Sequence, residues 1–202
     1  FGLGTWHPKG GMYSVVEGMK KLAEELGVHF QTNSDVEKIF VENGKVSGLR
    51  INGENIASDL VLSGADYHHT ETLLDDTYKQ YSESYWSKKT FAPSSLLFYV
   101  GFDKKLKNVH HHTLFFDTDF EEHAVEIYDD PKWPTAPLFY ANFTSLTDPN
   151  SAPEGKENGF FLIPLAPDLE DTEELRNKYF ELIMDRFEKI TNQEVKNSII
   201  FK

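Results

Sequence analysis

Apolar residues first recur at helical spacing and later at strand spacing along this chain. Over 12–26 they stand three or four positions apart, which predicts an amphipathic helix that ends at Gly27. Two Asn-Gly pairs follow at 43–44 and 52–53, and such pairs are typical of two-residue hairpin turns. The strand-like runs of this first part are 28–30, 36–41, 46–51, 54–57 and 60–63.

A second pattern begins after residue 66. Residues 68–90 are polar with a helical pattern, and 172–190 repeats apolar residues at helical spacing behind Thr172, a candidate N-cap. The whole chain therefore predicts an α+β fold, in which a mixed β-sheet flanked by helices follows a segment of helix and short strands. The strand-like runs of this second part are 95–102, 113–116, 138–143, 160–165 and 195–201.

Composition narrows the classes of function. The net charge of −13 argues against a nucleic-acid partner, because phosphate binding needs a basic surface. The lack of cysteine excludes disulfides and thiolate catalysis, and no apolar run approaches the roughly 20 residues of a membrane span. Aromatic residues make up 14% of the chain, which fits either a Phe-rich core or a surface for an apolar ligand. The chain opens on Phe1 without a signal peptide, as an excised internal piece would.

Few residues suggest chemistry of their own. The run His110-His111-His112 does not predict a metal site, since neighbouring side chains on a strand point to opposite faces. One of these histidines is a candidate for lining a pocket. The sequence contains neither a nucleophile elbow nor a glycine-rich nucleotide fingerprint. Gly10-Gly11 stands directly before the first helix, where it fits either a tight turn or a close approach of the backbone to a ligand.

Longer strings of residues carry a more specific signal, and they follow one another in a fixed order through nearly the whole chain. They are GTWHPKGGM at 4–12, QTNSDVEKIFVENGKVSGLRI at 31–51, ASDLVLSGADYHHT at 57–70, SSLLFYVGFDKKL at 94–106 and TDPNSAPEGKENGFFLIPLAP at 147–167. In this order they resemble the bacterial-type phytoene desaturase family of carotenoid enzymes, within the flavin-dependent amine oxidase-like superfamily.

The resemblance implies a division into two parts and a cofactor. Residues 1–66 would be a partial FAD-binding segment, and 67–202 would be the substrate-binding domain. In this family a glycine fingerprint, which is outside this chain, holds the FAD. We therefore expect the isolated chain to retain no FAD and to be inactive. The parent protein would be cytoplasmic and peripheral to the membrane, where its lipid-like substrate is dissolved.

The resemblance also assigns contacts with the cofactor. Gly10 and Gly11 would lie near the flavin ring, and the backbone of Val36 would face the adenine. The family commonly has Asn-Ala-Asp-Pro where this chain has Gly-Ala-Asp-Tyr at 64–67. The contact made where the chain leaves the FAD domain is therefore assigned to Ala65.

The activity that the resemblance implies is dehydrogenation of a long apolar polyene such as phytoene, by hydride transfer to the flavin. Alternatives are a related carotenoid or retinoid saturase or isomerase, and a non-catalytic module that binds an apolar ligand. On a strand only alternate residues share a face, so Phe98 and Tyr99 cannot both line a substrate tunnel. The candidates for its wall are Trp6, Phe98, His111, Phe115 and Phe139.

Overall fold

The computed structural model describes residues 6–202, and the contacts along the chain divide it into two compact units. One unit is Lys21–Thr90, and the other is Phe91–Lys202 together with the residues up to Lys20. The division by function at residue 66 stays a prediction, because contacts within the chain do not show what each part binds.

The unit of Lys21–Thr90 contains a three-stranded antiparallel sheet. The predicted hairpins are confirmed, since both residues at 43–44 and both at 52–53 have positive φ, as a type I′ turn requires. The runs 28–30 and 60–63 lie in no strand ladder of the described structure. Their apolar pattern fits a strand, but a strand also needs a pairing partner. The strands are β1 (Val36–Glu42), β2 (Lys45–Ile51) and β3 (Glu54–Ala57), in the order β1-β2-β3.

The predicted first helix is confirmed as α1 (Tyr13–Glu25), which has no buried residue. Gly27 follows it with a φ of 88°, as expected for a glycine just past a helix end. The polar stretch 68–90 forms only short helices, which are α2 (Tyr67–Thr72), a 3-10 turn at Asp76–Tyr78 and α3 (Glu83–Trp86).

The larger unit is built on a five-stranded sheet with the order β5-β6-β7-β4-β8. The α+β class is confirmed, and every strand pair found within residues 6–202 is antiparallel. The prediction of a mixed sheet is corrected in this respect, because a period of two specifies a buried face but not the direction of a strand. The strands are β4 (Ser94–Phe102), β5 (His112–Phe115), β6 (Phe139–Asn142), β7 (Glu157–Leu165) and β8 (Ile199–Phe201).

One face of this sheet packs against α5 (Glu173–Thr191), whose buried residues join those of the strands in one hydrophobic cluster. Thr172 caps α5 as predicted, and its side chain accepts a hydrogen bond from the backbone of Leu175. None of the described helices combines the length and hydropathy needed to cross a bilayer. The remaining helices are α4 (Phe120–Tyr128) and 3-10 turns at Thr144–Leu146, Pro149–Ser151 and Lys196–Ser198.

Candidate functional site

Alternate residues of the five-stranded sheet face away from the hydrophobic core and form an open face. Tyr99 of β4 stands opposite Phe160 of β7, and their rings are 5.3 Å apart. Phe201 of β8 pairs with Gly101 on the other side of β4. Tyr99 is 61% exposed and Phe201 is 64% exposed. The open face therefore offers aromatic rings to a ligand.

A wide cleft of about 1410 Å³ is lined by this face and by two segments, 6–12 and 144–150. The volume exceeds the roughly 300–1,000 Å³ of common small-molecule sites, so the cleft has room for a long ligand. The aromatic lining consists of Trp6, Tyr99, Tyr140, Phe160 and Phe201.

A network of hydrogen-bonded side chains occupies one part of the cleft, where β5 pairs with β6. Nδ1 of His112 lies 2.6 Å from the hydroxyl of Tyr140. Asn142 donates from Nδ2 to the same hydroxyl at 3.1 Å, and its Oδ1 accepts from the hydroxyl of Thr144 at 2.7 Å. The side chains of this network hold one another in place.

A second cluster of polar side chains in the cleft surrounds His111. Its Nδ1 lies 2.5 Å from the hydroxyl of Thr147, and its ring is 5.3 Å from the ring of His7. Nε2 of His7 is buried without a hydrogen-bond partner in the described residues, 3.6 Å from a carboxylate oxygen of Asp148. Burial, and then the neighbouring His112 and His7, lower the pKa of His111 below its usual value. At neutral pH this imidazole is therefore uncharged, with one donor and one acceptor nitrogen.

Gly10-Gly11 brings bare backbone to the edge of the cleft. Both residues have a φ of 87°, a left-handed conformation that favours glycine. Gly10 lines the cleft, and no atom of the described chain lies within 4 Å of where a Cβ would stand at either position. This open space fits a planar group such as a flavin ring, and the contact itself stays a prediction.

The structure brings Gly10, Trp6 and His111 together around the cleft, whereas Phe98, Phe115 and Phe139 lie on the core side of the sheet. Phe115 and Phe139 are buried, with their rings stacked 4.4 Å apart. The ring of Phe98 packs edge-on against Phe180 of α5 at 5.1 Å. Phe98 lies on the core side because side chains alternate between the two faces along a strand, so Tyr99 and not Phe98 lies on the open face.

The remaining residues predicted to contact the cofactor lie in the other unit. Val36 begins β1 and pairs with Ile51 across a bulge. Ala65 is exposed, and its N–H donates to the hydroxyl of Ser63 at 3.3 Å. Their contacts with FAD stay predictions.

Sequence reasoning did not find most of the cleft. Tyr99 and Phe160 could have been found from the alternation of β4 and β7, because Val100, Phe102, Phe161 and Ile163 next to them are buried. His112 and Tyr140 carry no local signal, because the pairing of β5 with β6 brings them together. Asp148 precedes the 3-10 turn Pro149–Ser151, and only the fold brings it close to His7. Within residues 6–202 no group of three or more histidine or carboxylate side chains is arranged to hold a metal ion.

Comparison with known proteins places the chain in a family. A sequence model of flavin containing amine oxidoreductases matches residues 1–201. The carotenoid 3,4-desaturase of Haloarcula japonica is 37% identical over 203 residues, which cover 100% of this chain and 41% of that protein. The zeta-carotene-forming phytoene desaturase of Myxococcus xanthus is 33% identical over 187 residues, covering 89% of this chain and 36% of that protein. The chain thus spans about two fifths of the length of these relatives.

A solved structure supports the fold. The crystal structure of an oxidoreductase from Methanosarcina mazei matches with a TM-score of 0.67 and 18% identity. The match covers 96% of this chain and 42% of that one. At this identity the likeness concerns the fold alone.

Proposed function

The chain belongs to the flavin containing amine oxidoreductase family, and we propose that it is the middle part of an FAD-dependent enzyme that desaturates a long polyene. Two carotenoid desaturases at 37% and 33% identity support this activity. Because the chain spans 41% and 36% of those proteins, the activity belongs to the full-length protein.

Desaturation removes a hydride from one carbon of the polyene and a proton from its neighbour, which leaves a double bond between them. FAD, when bound, supplies the acceptor for the hydride. The protein then has to hold a long apolar chain, exclude water and place one bond correctly.

The observation that carries the proposal is the cleft on the open face of the five-stranded sheet. Tyr99, Phe160 and Phe201 offer ring surface there, and apolar area removed from water favours binding by about 25 cal/mol per Å². Gly10 lines the same cleft, so a ligand on these rings would reach the backbone assigned to the flavin ring. Polyene and cofactor would thus meet along one surface.

A test is to incubate the full-length protein with phytoene and follow the absorption of the products. We expect new bands at longer wavelength, since each added double bond extends the conjugated system. A purified full-length protein that binds no FAD, or that leaves every acyclic polyene unchanged, would contradict the proposal.

The role of Gly10 is tested by Gly10→Ala in the full-length protein. An alanine at a φ of 87° is strained, and its methyl group would project into the open space next to the backbone. We expect less bound FAD, measured as flavin absorbance per protein. Gly18→Ala is the matched control, because Gly18 lies in α1 and no atom of the described residues lies within 4 Å of its Cβ position. An equal loss of flavin in both variants would refute the assignment.

The alternatives predict other spectral changes when a coloured polyene replaces phytoene in this assay. A saturase would shorten the conjugated system of a coloured polyene, and an isomerase would change its geometry with the number of double bonds unchanged. A non-catalytic module would bind the polyene and leave its spectrum without a time-dependent change. The desaturase relatives favour desaturation over these three alternatives.

A further inference from the structure

One histidine of the cleft stands beside a carboxylate. Nε2 of His7 lies 3.6 Å from Oδ2 of Asp148, and the two side chains are only 22% and 11% exposed. Within residues 6–202 this nitrogen is buried without a hydrogen-bond partner. Because opposite charges attract more strongly where water is excluded, the carboxylate would stabilise a proton gained by the ring. His7 therefore has the surroundings of a proton acceptor.

The other nitrogen of the His7 ring is available to a ligand. In the described part of the chain no hydrogen bond engages Nδ1, and this atom is not buried. An N–H at Nε2 faces the carboxylate of Asp148 favourably, which leaves the lone pair of the neutral ring on Nδ1. Histidines that act as a base are often oriented in this way, with one nitrogen toward a carboxylate and the other toward the reacting atoms.

Asp148 is held in place by the backbone around it. Its own N–H donates to the carbonyl oxygen of Thr144 at 2.9 Å, and its Oδ1 accepts from the N–H of Asn150 at 3.1 Å. The N–H of Ser145 donates to Oδ1 of Asn158 in β7 at 3.2 Å, which ties this segment to the sheet. The carboxylate is thus fixed, with Oδ2 toward the histidine.

His7 also adjoins the turn that is assigned to the flavin ring. The N–H of Gly11 donates to the carbonyl oxygen of Pro8 at 3.1 Å, and a proline favours an extended backbone in the residue before it. These constraints fix His7 relative to Gly10, which lines the same cleft. Since desaturation takes a hydride and a proton from neighbouring carbons, a base has to stand close to the hydride acceptor.

Two further histidines line the cleft, and they are less suited to accept a proton. Burial, and then the neighbouring His112 and His7, lower the pKa of His111, so its ring holds a proton weakly. Nδ1 of His112 already lies 2.6 Å from the hydroxyl of Tyr140. Among the described residues around the cleft, Asp148 is the one carboxylate, and it lies beside His7.

We propose that His7 is the base of the desaturation and that Asp148 positions its ring. One C–H bond of the polyene loses its hydrogen and its electron pair to FAD as a hydride. The proton of the neighbouring C–H bond passes to Nδ1 of His7, and the electrons of that bond form the new double bond. Asp148 faces the resulting imidazolium, which then gives its proton to water. This inference rests on the proposed desaturase function and adds a catalytic residue to it.

A first experiment tests access to the ring without turnover. The full-length protein is treated with diethyl pyrocarbonate, which acylates neutral imidazole nitrogens, and the modified histidines are identified by mass spectrometry. Phytoene in detergent micelles should protect His7 and leave His110 reactive, since His110 is exposed and does not line the cleft. Equal modification of His7 with and without phytoene would overturn the proposal.

A second experiment measures product formation from phytoene in a single turnover of the full-length protein. His7→Gln keeps a polar side chain that cannot take up the proton, so we expect the rate to fall about 100-fold or more, with the dissociation constants of FAD and phytoene unchanged. Asp148→Asn should lower the rate about tenfold, because asparagine can still accept from the N–H of Asn150 but lacks the charge. His110→Gln is the matched control.

The pH profile separates a base from a structural role. The rate of the wild-type protein should fall as the pH is lowered, because a protonated His7 cannot accept a proton, and this fall should be absent in His7→Gln. His111→Gln and His112→Gln should keep it. The other titratable side chains described around the cleft are Lys9, Tyr99, Tyr140 and Asp148.

A His7→Gln variant that reacts as fast as the wild type, or that keeps the fall in acid, would overturn the inference and leave the proposed function. A fall that disappears in His111→Gln instead would also overturn it. If His7→Gln fails to fold by circular dichroism, the labelling and Asp148→Asn still test the pair, and an unchanged rate in Asp148→Asn would contradict it. A wild-type protein that leaves phytoene unaltered would show that the proposed function itself is wrong.

Discussion

The two sheets of this molecule share antiparallel pairing but differ in what covers their faces. The five-stranded sheet has a buried face packed against α5, with many apolar side chains fully buried. In the described part of Lys21–Thr90, Ile39 is the one buried apolar side chain. The larger unit thus contains its own core, whereas the smaller unit relies on backbone pairing.

The strongest test of this contrast is Phe187→Ala in the core of the larger unit. Phe187 is fully buried, and its ring lies 5.6–5.7 Å from those of Phe115, Phe143 and Phe161. The change leaves a cavity among these rings, so we expect a loss of about 3–5 kcal/mol in the free energy of unfolding. Urea denaturation followed by circular dichroism measures it.

Leu22→Ala in α1 is the matched control. Leu22 is 58% exposed, so its removal should change the free energy of unfolding by no more than about 0.5 kcal/mol. A comparable loss in both variants would show that α1 is covered in solution and that the contrast between the units is wrong.

Local signals predicted much of the fold. The stripe of α1, the Asn-Gly turns at 43–44 and 52–53 and the cap of Thr172 depend on nearest neighbours in the chain, and all three are confirmed. Strand direction depends on pairing with residues far along the chain. The prediction of a mixed sheet was therefore wrong, because the sequence pattern does not specify whether two strands run parallel or antiparallel.

The site was harder to predict because it is assembled from distant segments. His7, His111 and Asp148 meet in the cleft although more than a hundred residues separate the first from the others. Phe98 and Phe115 have the residue type expected of a tunnel wall, but the same apolar rings fill the core. The alternation along β4 distinguishes Tyr99, which faces the cleft, from Phe98, which faces the core, only once the buried face of the strand is known.

Gly48→Ala tests whether pairing holds the smaller unit together. Gly48 lies in β2, between Phe40 of β1 and Ala57 of β3, and a Cβ there would overlap with the backbone oxygen of Ile56. The central strand would have to shift, at a cost of about 1–3 kcal/mol. We expect faster hydrogen exchange of the amides in β2 and β3, with unchanged protection in β7.

Gly64→Ala serves as the control for Gly48→Ala. No atom of residues 6–202 lies within 4 Å of its Cβ position, so hydrogen exchange of the β2 amides should be the same as in the wild-type protein. Loss of protection in β7 along with β2 would show that the two units unfold together. The claim that each unit has its own stability would then be wrong.

The smallest expected change in stability comes from substituting Glu71, the one buried carboxylate described in Lys21–Thr90. It accepts hydrogen bonds from Trp86 Nε1 at 2.8 Å and from the backbone of Gln80 and Tyr81 at 2.7 and 3.2 Å. Burial by itself would raise the pKa of Glu71, but the bonds from Trp86 and the two backbone groups lower it overall. The polar contacts of this carboxylate thus stabilise a unit that has little apolar core.

A lowered pKa in the folded state fixes the sign of the pH dependence. Between that pKa and the value of about 4.3 in the unfolded chain, the unfolded state binds more protons, so stability rises with pH. The contribution of Glu71 is present above about pH 4.3 and is lost as the pH falls through the folded pKa. Hydrogen exchange of the Gln80 and Tyr81 amides, corrected for intrinsic rates, should show Glu71→Gln less protected at pH 6. The difference from the unchanged protein should shrink in acid, and one that stayed constant would show that this carboxylate does not support the smaller unit through its charge.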